Sequence, residues 1–359
     1  MKAKIGLILF SSVLCIFLIE VGYLLLIKEN VYQWEKRYML FHENEGGTVF
    51  ENDGTIFRYR QNALIHSSTY YQVKNNWVKE YDYDIKTNNW GLVQKNAIQA
   101  AQPSIVFLGD SFTEGQGVTS WFNAFQENYE ESGLQFVNAG LIGTGFAQWE
   151  ILLNQLNDQK LNIRYLVVLF ISDDYGRIVW NLPKDTLRCL KDWHMCVGYE
   201  NFYGLPPEPD IIPFLGKLKN FREHQNLSQE KKASELISSY FPASSLLYSY
   251  IANLFDVKPA TPLSHVKSNE AIKKFIQVYG DRVPFVHIPQ KDEIKFNRIN
   301  PDGMLARMAI MEAGGQLDDG FKLCTLTEAD FFKYDGHPNK QGYQKISQCV
   351  GRSIQKLGL

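Results

Sequence analysis

Apolar and polar positions follow three different rhythms along this chain, and each predicts a different kind of element. From Ile5 to Ile27 the chain is apolar apart from small residues and Glu20. About 20 such residues suffice to cross a bilayer. Lys2 and Lys4 precede this run, and no small-x-small cleavage site follows a short apolar region. An uncleaved signal anchor is therefore expected rather than a removed signal peptide. Leu14 is too bulky to precede a lipidated cysteine, so Cys15 is not read as a lipoprotein site. From Tyr32 to Val93 the pattern changes to Tyr, Asn and β-branched residues, with Asp53-Gly54 as a turn signal. That composition predicts short strands and loops.

After a linker at Ala97–Pro103, short apolar runs alternate with helical spacing. Ser104–Leu108, Phe136–Asn138, Tyr165–Ile171 and Val283–Ile288 read as strands, and Lys322–Leu326 as a fifth. Continuous apolar runs of this length suit parallel strands covered on both faces. Helices are expected around Trp121–Glu131, over Phe146–Leu156, and at the C-terminus, where Tyr343, Ile346, Val350, Ile354 and Leu357 share one face. Strands alternating with helices argue for an α/β fold, a doubly wound parallel sheet with helices on both faces. Trp180 to Tyr279 breaks the rhythm with the Pro-rich stretch Leu205–Pro213 and helical stretches at Glu230–Tyr240, Ser245–Phe255 and Asn269–Tyr279. The chain thus divides into an anchor at 1–27, a strand and loop region at 28–103, and an α/β domain at 104–359. The last carries a mainly helical insertion at about 181–279, expected to cap the sheet.

Composition narrows the function classes. Of 359 residues, 45% are hydrophobic and 21% charged, as in an ordinary folded protein. The formal net charge of -2 gives no electrostatic reason to expect nucleic acid. The aromatic share of 14% fits a Phe- and Tyr-rich core, with carbohydrate stacking as the alternative. Outside the anchor stand Cys189, Cys196, Cys324 and Cys349. An even number suits two disulfides, Cys189–Cys196 and Cys324–Cys349, in an oxidising compartment, while four buried thiols are the alternative. Lys28, Lys36 and Arg37 follow the span closely, so charge bias alone leaves its orientation open. With the cysteines, the expected setting is the cytoplasmic membrane, single-pass, with the α/β domain on the outer side. Glu20 in the span is either a neutral acid near the interface or a contact with a membrane-protein partner.

Ligands of open α/β sheets bind beyond the carboxyl ends of the strands. Gly109-Asp110-Ser111 follows the first strand, Gly140–Gly145 the second and Ser172-Asp173-Asp174 the third, while Asp335-Gly336-His337-Pro338 precedes the last helix. Acyl transfer needs a hydroxyl activated by a base, a carboxylate that orients the base, and donors for the oxyanion. No metal cluster, phosphate loop or dinucleotide fingerprint is present, and no cofactor is expected.

Gly109-Asp-Ser-Phe-Thr-Glu-Gly-Gln-Gly-Val118 resembles the first block of the SGNH, or GDSL, hydrolase family. Asn138–Gly143 resembles its second block and Asp335-Gly-His337-Pro-Asn339 its last. Ile85-Lys-Thr-Asn88-Asn-Trp-Gly91-Leu looks like the lead-in of membrane-anchored bacterial envelope members. The likeness covers residues 85–180 and 283–359 and implies a three-layer, flavodoxin-like architecture. It implies Ser111 as nucleophile, His337 as base, Asp335 as orienting acid, and Ser111 and Gly143 as oxyanion donors. Asp173 occupies the third donor position, where the family usually has asparagine, and a carboxylate cannot donate. Either it is protonated in a shielded site or it points elsewhere. The family's last block is more often D-x-x-H, so Asp330 is the reserve acid. His194, His265 and His287 are rival bases, and Asp110 is read as a structural carboxylate of the serine loop. The expected function is a serine esterase or O-acyltransferase acting on ester-linked acyl groups, acetyl above all, of an envelope glycan. The alternatives are a lipid or general ester hydrolase at the membrane surface, or a catalytically impaired glycan-binding or assembly subunit.

Overall fold

A computed structural model describes residues 37–118, 121–129, 133–177, 181–198, 200–228 and 262–359. The apolar run Ile5–Ile27, with Glu20, lies outside the described residues, as do the helical stretches expected at Glu230–Tyr240 and Ser245–Phe255. Among the described residues no helix is long and apolar enough to cross a membrane.

The chain opens with five strands: β1 (Arg37–Glu43), β2 (Phe50–Asn52), β3 (Phe57–Tyr59), β4 (Leu64–Val73) and β5 (Asn76–Lys86). The turn signal at Asp53-Gly54 joins β2 to β3, where Asp53 Oδ1 accepts the N–H groups of Thr55 and Ile56. β4 and β5 form a long antiparallel hairpin of 10 and 11 residues rather than the short strands expected.

The α/β part follows: β6 (Ser104–Gly109), α1 (Ser111–Glu114), α2 (Trp121–Glu127), β7 (Gln135–Gly140), α3 (Phe146–Asp158) and β8 (Ile163–Phe170). After α4 (Lys184–Lys191) comes the two-residue β9 (Tyr203–Gly204), then α5 (Ile211–Ser228) and α6 (Leu263–Tyr279). The chain closes with β10 (Pro284–His287), α7 (Lys291–Phe296), α8 (Pro301–Glu312), β11 (Gln316–Asp319), α9 (Gly320–Leu323) and α10 (Lys340–Gln355).

Five strands make a parallel sheet in the order β11-β10-β8-β6-β7. Successive side chains of a strand point to opposite faces, and β6 shows why its run is wholly apolar. Val106 and Leu108 pack on one face with Trp149 and Phe146 of α3 and Ile272 and Phe275 of α6. Ile105 and Phe107 pack on the other with Phe122 and Phe125 of α2 and Ile346 and Val350 of α10. Both faces being covered, the run Ile105–Leu108 carries no polar position, and Ser104 at the strand's start hydrogen-bonds to Gln102 O and Gln135.

One expected strand lies elsewhere. The fifth strand is Gln316–Asp319, and the expected Lys322–Leu326 begins inside helix α9, whose N-terminus is capped by Asp319 accepting from Phe321 N. This edge strand hid because Asp318 pairs with Lys356 and Asp319 with Arg307, so it has no apolar run. The helix containing Asn269–Tyr279 covers one face of the sheet, with Ala271, Ile272, Phe275 and Tyr279 in the sheet's own core.

The N-terminal strands are equally integrated. A second sheet runs β5-β4-β1-β9, with β9 drawn from the 181–279 region and parallel to β1. Its core includes Leu141 and Ile142 of the glycine loop after β7. Cys189 bonds Cys196, and Cys324 bonds Cys349, the latter tying the end of α9 to α10. Non-reducing peptide mapping should recover both pairs. Replacing Cys324 and Cys349 by alanine should cost about 3 kcal/mol, the loop-closure value for such a separation, read from denaturant unfolding.

Candidate active site

The carboxyl ends of β6, β7 and β8 converge on a cleft of about 630 Å³, and the turn before α10 closes its side. Ser111 is the first residue of α1. Asp110 caps that helix by accepting the N–H of Phe112 at 2.8 Å, which fixes the serine at the strand end. The crossing is tight. A Cβ on Gly140 would lie 2.3 Å from Glu114 N, so only glycine lets the end of β7 approach the serine turn.

Ser111 Oγ stands 2.7 Å from His337 Nε2, and His337 Nδ1 stands 2.6 Å from Asp335 Oδ1. With the Nδ1 proton on the carboxylate side, Nε2 is the acceptor and the serine hydroxyl donates to it. A second acceptor, Asp110 Oδ2, lies at 3.3 Å and is the weaker contact. Ser111 keeps 4% and His337 9% of their surface, so both are reachable only from the cleft.

Asp335 is buried yet built to stay charged. Burial alone would raise its carboxyl, but the His337 ring, Arg37 at 3.7 Å and the Tyr81 hydroxyl, donating at 2.6 Å, outweigh this. Together they hold the carboxyl far below the usual carboxylate range. Tyr81 in turn accepts from Gln116 Nε2 at 2.6 Å. Arg37 and Tyr81 come from β1 and β5, so the first sheet completes the site.

Gly143 adopts a left-handed φ of 73°, which turns the loop after β7 toward the cleft. Among the described residues nothing takes up its N–H or that of Ser111, and both residues line the cleft. Asp173 lines the cleft too, but it is exposed, which removes the reading of a shielded site. The residue that faces inward is Asp174: it accepts Ile171 N at 2.8 Å and pairs with Arg177.

The rival groups lie elsewhere. His194 is exposed beside Asp192, and His265 stacks on Tyr175 near Asp302. His287 is buried and wired into a structural chain in which Arg307 approaches its Nδ1, its Nε2 meets Ser172 Oγ, and Ser172 donates to Glu293. Burial and then Arg307 push the His287 ring down to about 3, so it stays neutral. Asp330 accepts from Thr327 and pairs with Lys345, away from the cleft.

Four site neighbours were not singled out from the sequence: Arg37, Tyr81, Glu114 and Arg177. Glu114 is the most informative. It is buried, accepts Ile142 N at 2.8 Å beside the Gly143 turn, and meets the Tyr59 hydroxyl at 3.0 Å. Burial, reinforced by Asp110, pushes its carboxyl up to about 8 against these two hydrogen bonds.

No family model matches the sequence, and no curated protein matches it. Solved structures do. An acetylxylan esterase from Geobacillus stearothermophilus, solved as a catalytic mutant, is 12% identical and aligns over 72% of this chain and 95% of its own, with a TM-score of 0.36. The psychrotrophic esterase EstA from Pseudoalteromonas sp. is 12% identical over 71% and 97%, with a TM-score of 0.36. A member of the lipolytic G-D-S-L family from Veillonella parvula is 12% identical over 71% and 99%, with a TM-score of 0.32. At such identities and scores these likenesses assign no residue and no activity to this chain.

Glu114 gives a pH prediction. Its folded value lies above the ordinary 4.5, so between about 4.5 and 8 the folded state keeps a proton that the unfolded chain has lost. Stability therefore falls as pH rises through that window. Glu114→Gln keeps a neutral group able to accept from Ile142 N. Its Tm should match wild type near pH 5 and exceed it by a widening margin toward pH 8.5, measured by calorimetry.

Proposed function

We propose that this chain is a serine esterase or O-acyltransferase acting on ester-linked acyl groups, chiefly acetyl, of a cell-envelope glycan. One observation carries the reading: the hydrogen-bonded order Ser111–His337–Asp335 at the floor of a cleft that also presents two unpartnered N–H groups. Each part has a chemical role. As Ser111 Oγ attacks an ester carbonyl, its proton passes to His337 Nε2 and the carbonyl π pair moves onto oxygen. Asp335 keeps the imidazole in the tautomer that can accept and stabilises the imidazolium. The N–H groups of Ser111 and Gly143 meet the oxyanion. Collapse returns the proton from His337 to the leaving alcohol. The acyl-enzyme then passes its acyl group to water or to another hydroxyl.

The cleft walls favour a polar substrate over a long acyl chain. Arg37, Arg177, Arg222, Gln116, Asn201 and Gln290 line them, with Phe112, Ile142, Ile171 and Phe202 between these polar groups. Sugar hydroxyls match such donors and acceptors, and a short acyl group needs little apolar room. The two disulfides support an oxidising compartment. With the apolar run Ile5–Ile27, that supports a single-pass protein of the cytoplasmic membrane with its cleft outside. A second reading, an impaired glycan-binding or assembly subunit, draws on Asp173, whose carboxylate lines the cleft where the resembled family has an amide donor.

Fluorophosphonate labelling of the full chain in detergent separates these readings. Wild type should label and Ser111→Ala should not, while kcat/KM for ester cleavage should fall by about 10⁴-fold or more in Ser111→Ala. A folded wild type that does not label sinks the enzymatic reading. Acetate release from an O-acetylated glycan, compared with cleavage of a long-chain ester, tests the substrate class. Acyl transfer to an added glycan acceptor tests the transferase arm. Asp173→Asn should raise kcat by about tenfold, by removing a charge beside the oxyanion and adding a donor.

A further inference from the structure

Position 173 lacks a donor, but the same turn supplies a side chain with donors to spare. Arg177 lines the cleft with Ser111 and Gly143, and its side chain is 26% exposed. Its Nη1 group is fully engaged: it donates to Asp110 Oδ2 at 2.9 Å, to Thr144 O at 2.9 Å, and to Asp174 Oδ1. Those partners belong to the three strand ends that build the site. Among the described residues nothing takes up Nη2 or Nε. A guanidinium is planar and carries five N–H donors in a rigid fork, so pinning one nitrogen fixes the direction of the others.

The pinned nitrogen sits close to the chemistry. Ser111 Oγ and Arg177 Nη1 approach the same oxygen, Asp110 Oδ2, at 3.3 and 2.9 Å. The carbonyl that Arg177 holds, Thr144 O, adjoins the turn that presents the Gly143 N–H. One guanidinium thus links the nucleophile's carboxylate neighbour to the oxyanion loop and leaves its remaining donors free. Resting on the acyl-transfer reading above, we propose that Arg177 is a catalytic residue whose free guanidinium edge donates to the oxyanion in place of the amide absent at 173.

The proposal gives Asp173 a consistent setting. Its charge acts on the Arg177 guanidinium, as do those of Asp174 and Asp110, and these carboxylates outweigh burial to keep the guanidinium firmly protonated. A cation inside a ring of carboxylates offers hydrogen bonds to a developing anion that neutral amides would have to match in number. Those bonds form only once the carbonyl oxygen carries charge, so they lower the barrier rather than tighten ground-state binding.

Arg177→Lys is the discriminating variant, because a lysine can still neutralise Asp110 and Asp174 but has no second edge. With wild type active on an acetyl ester, Arg177→Lys should fold with an unchanged Tm within a few degrees. Its kcat should drop by about 100-fold with little change in KM, the signature of a donor used only in the transition state. Asp173→Asn added to Arg177→Lys should recover most of that loss, well beyond its roughly tenfold effect on the wild type, because an amide then stands where the family has one. Methylguanidinium added to Arg177→Ala should restore part of the rate. If folded Arg177→Lys keeps the wild-type kcat, the proposal is overturned. It is equally overturned if the loss is neither recovered by Asp173→Asn nor restored by methylguanidinium, which would make Arg177 only a brace for Asp110. An inactive wild type would instead overturn the acyl-transfer reading itself.

Discussion

The site depends on keeping one buried carboxylate, Asp335, ionised. An ionised carboxyl removed from water is costly unless it is paired and hydrogen-bonded, and here three parts of the chain share the task. His337 comes from the same turn, Tyr81 from β5 and Arg37 from β1. The N-terminal sheet therefore does more than extend the core. Without it Asp335 would lose two of its partners and burial would push its proton back on. A protonated acid could no longer hold the imidazole in the tautomer that accepts from Ser111. The two sheets, already packed together through Leu141 and Ile142, meet again at this charge.

A second carboxyl in the same region is driven the opposite way. Glu114 lies beneath the Gly143 turn with one hydroxyl and one N–H for partners and no cation beside it, and burial carries it up to about 8. Near neutral pH it is mostly uncharged. Negative charge is thereby kept out from under the loop that would meet an oxyanion, and held instead on Asp335. Two acids a short distance apart hold opposite protonation states because their partners differ, which is the usual way a fold assigns acid and base roles. Asp174 follows the same rule. Burial and then Asp110 raise its carboxyl, and Arg177 pairs with both.

What the sequence disclosed follows from where each signal is local. Ser104–Leu108 and Tyr165–Ile171 were legible because the doubly covered stretches Ile105–Leu108 and Leu166–Phe170 are wholly apolar. Ser111, Asp335 and His337 were legible because each sits in a short motif beside a strand end or a helix start. β11 was not, since an edge strand tied by Asp318 and Asp319 to cations carries no apolar run. Tyr81 was visible only as one of the alternating buried positions Tyr81, Tyr83 and Ile85 of β5. Nothing local announces a partner 254 residues away. Arg177 was closer to view, since it stands one turn after Asp174. A lone arginine in a loop is a common surface feature, and its role emerges only when Asp110, Thr144 and Asp174 are brought to one nitrogen.

The position of Arg37 sets a bound on where the chemistry can happen. It is the first residue of β1, it lines the cleft, and it faces the orienting acid. Under the proposed anchoring, only the ten residues from Lys28 to Arg37 separate the end of the apolar run from the cleft wall. Fully extended, a chain of that length reaches about 35 Å. Under that anchoring the proposed ester substrate would lie within a few tens of ångströms of the bilayer surface, which would favour a glycan close to the membrane. Under that proposal the connection would run directly into β1, whose Arg37 lies 3.7 Å from Asp335. Substrate presentation and the tuning of the base would then depend on one strand.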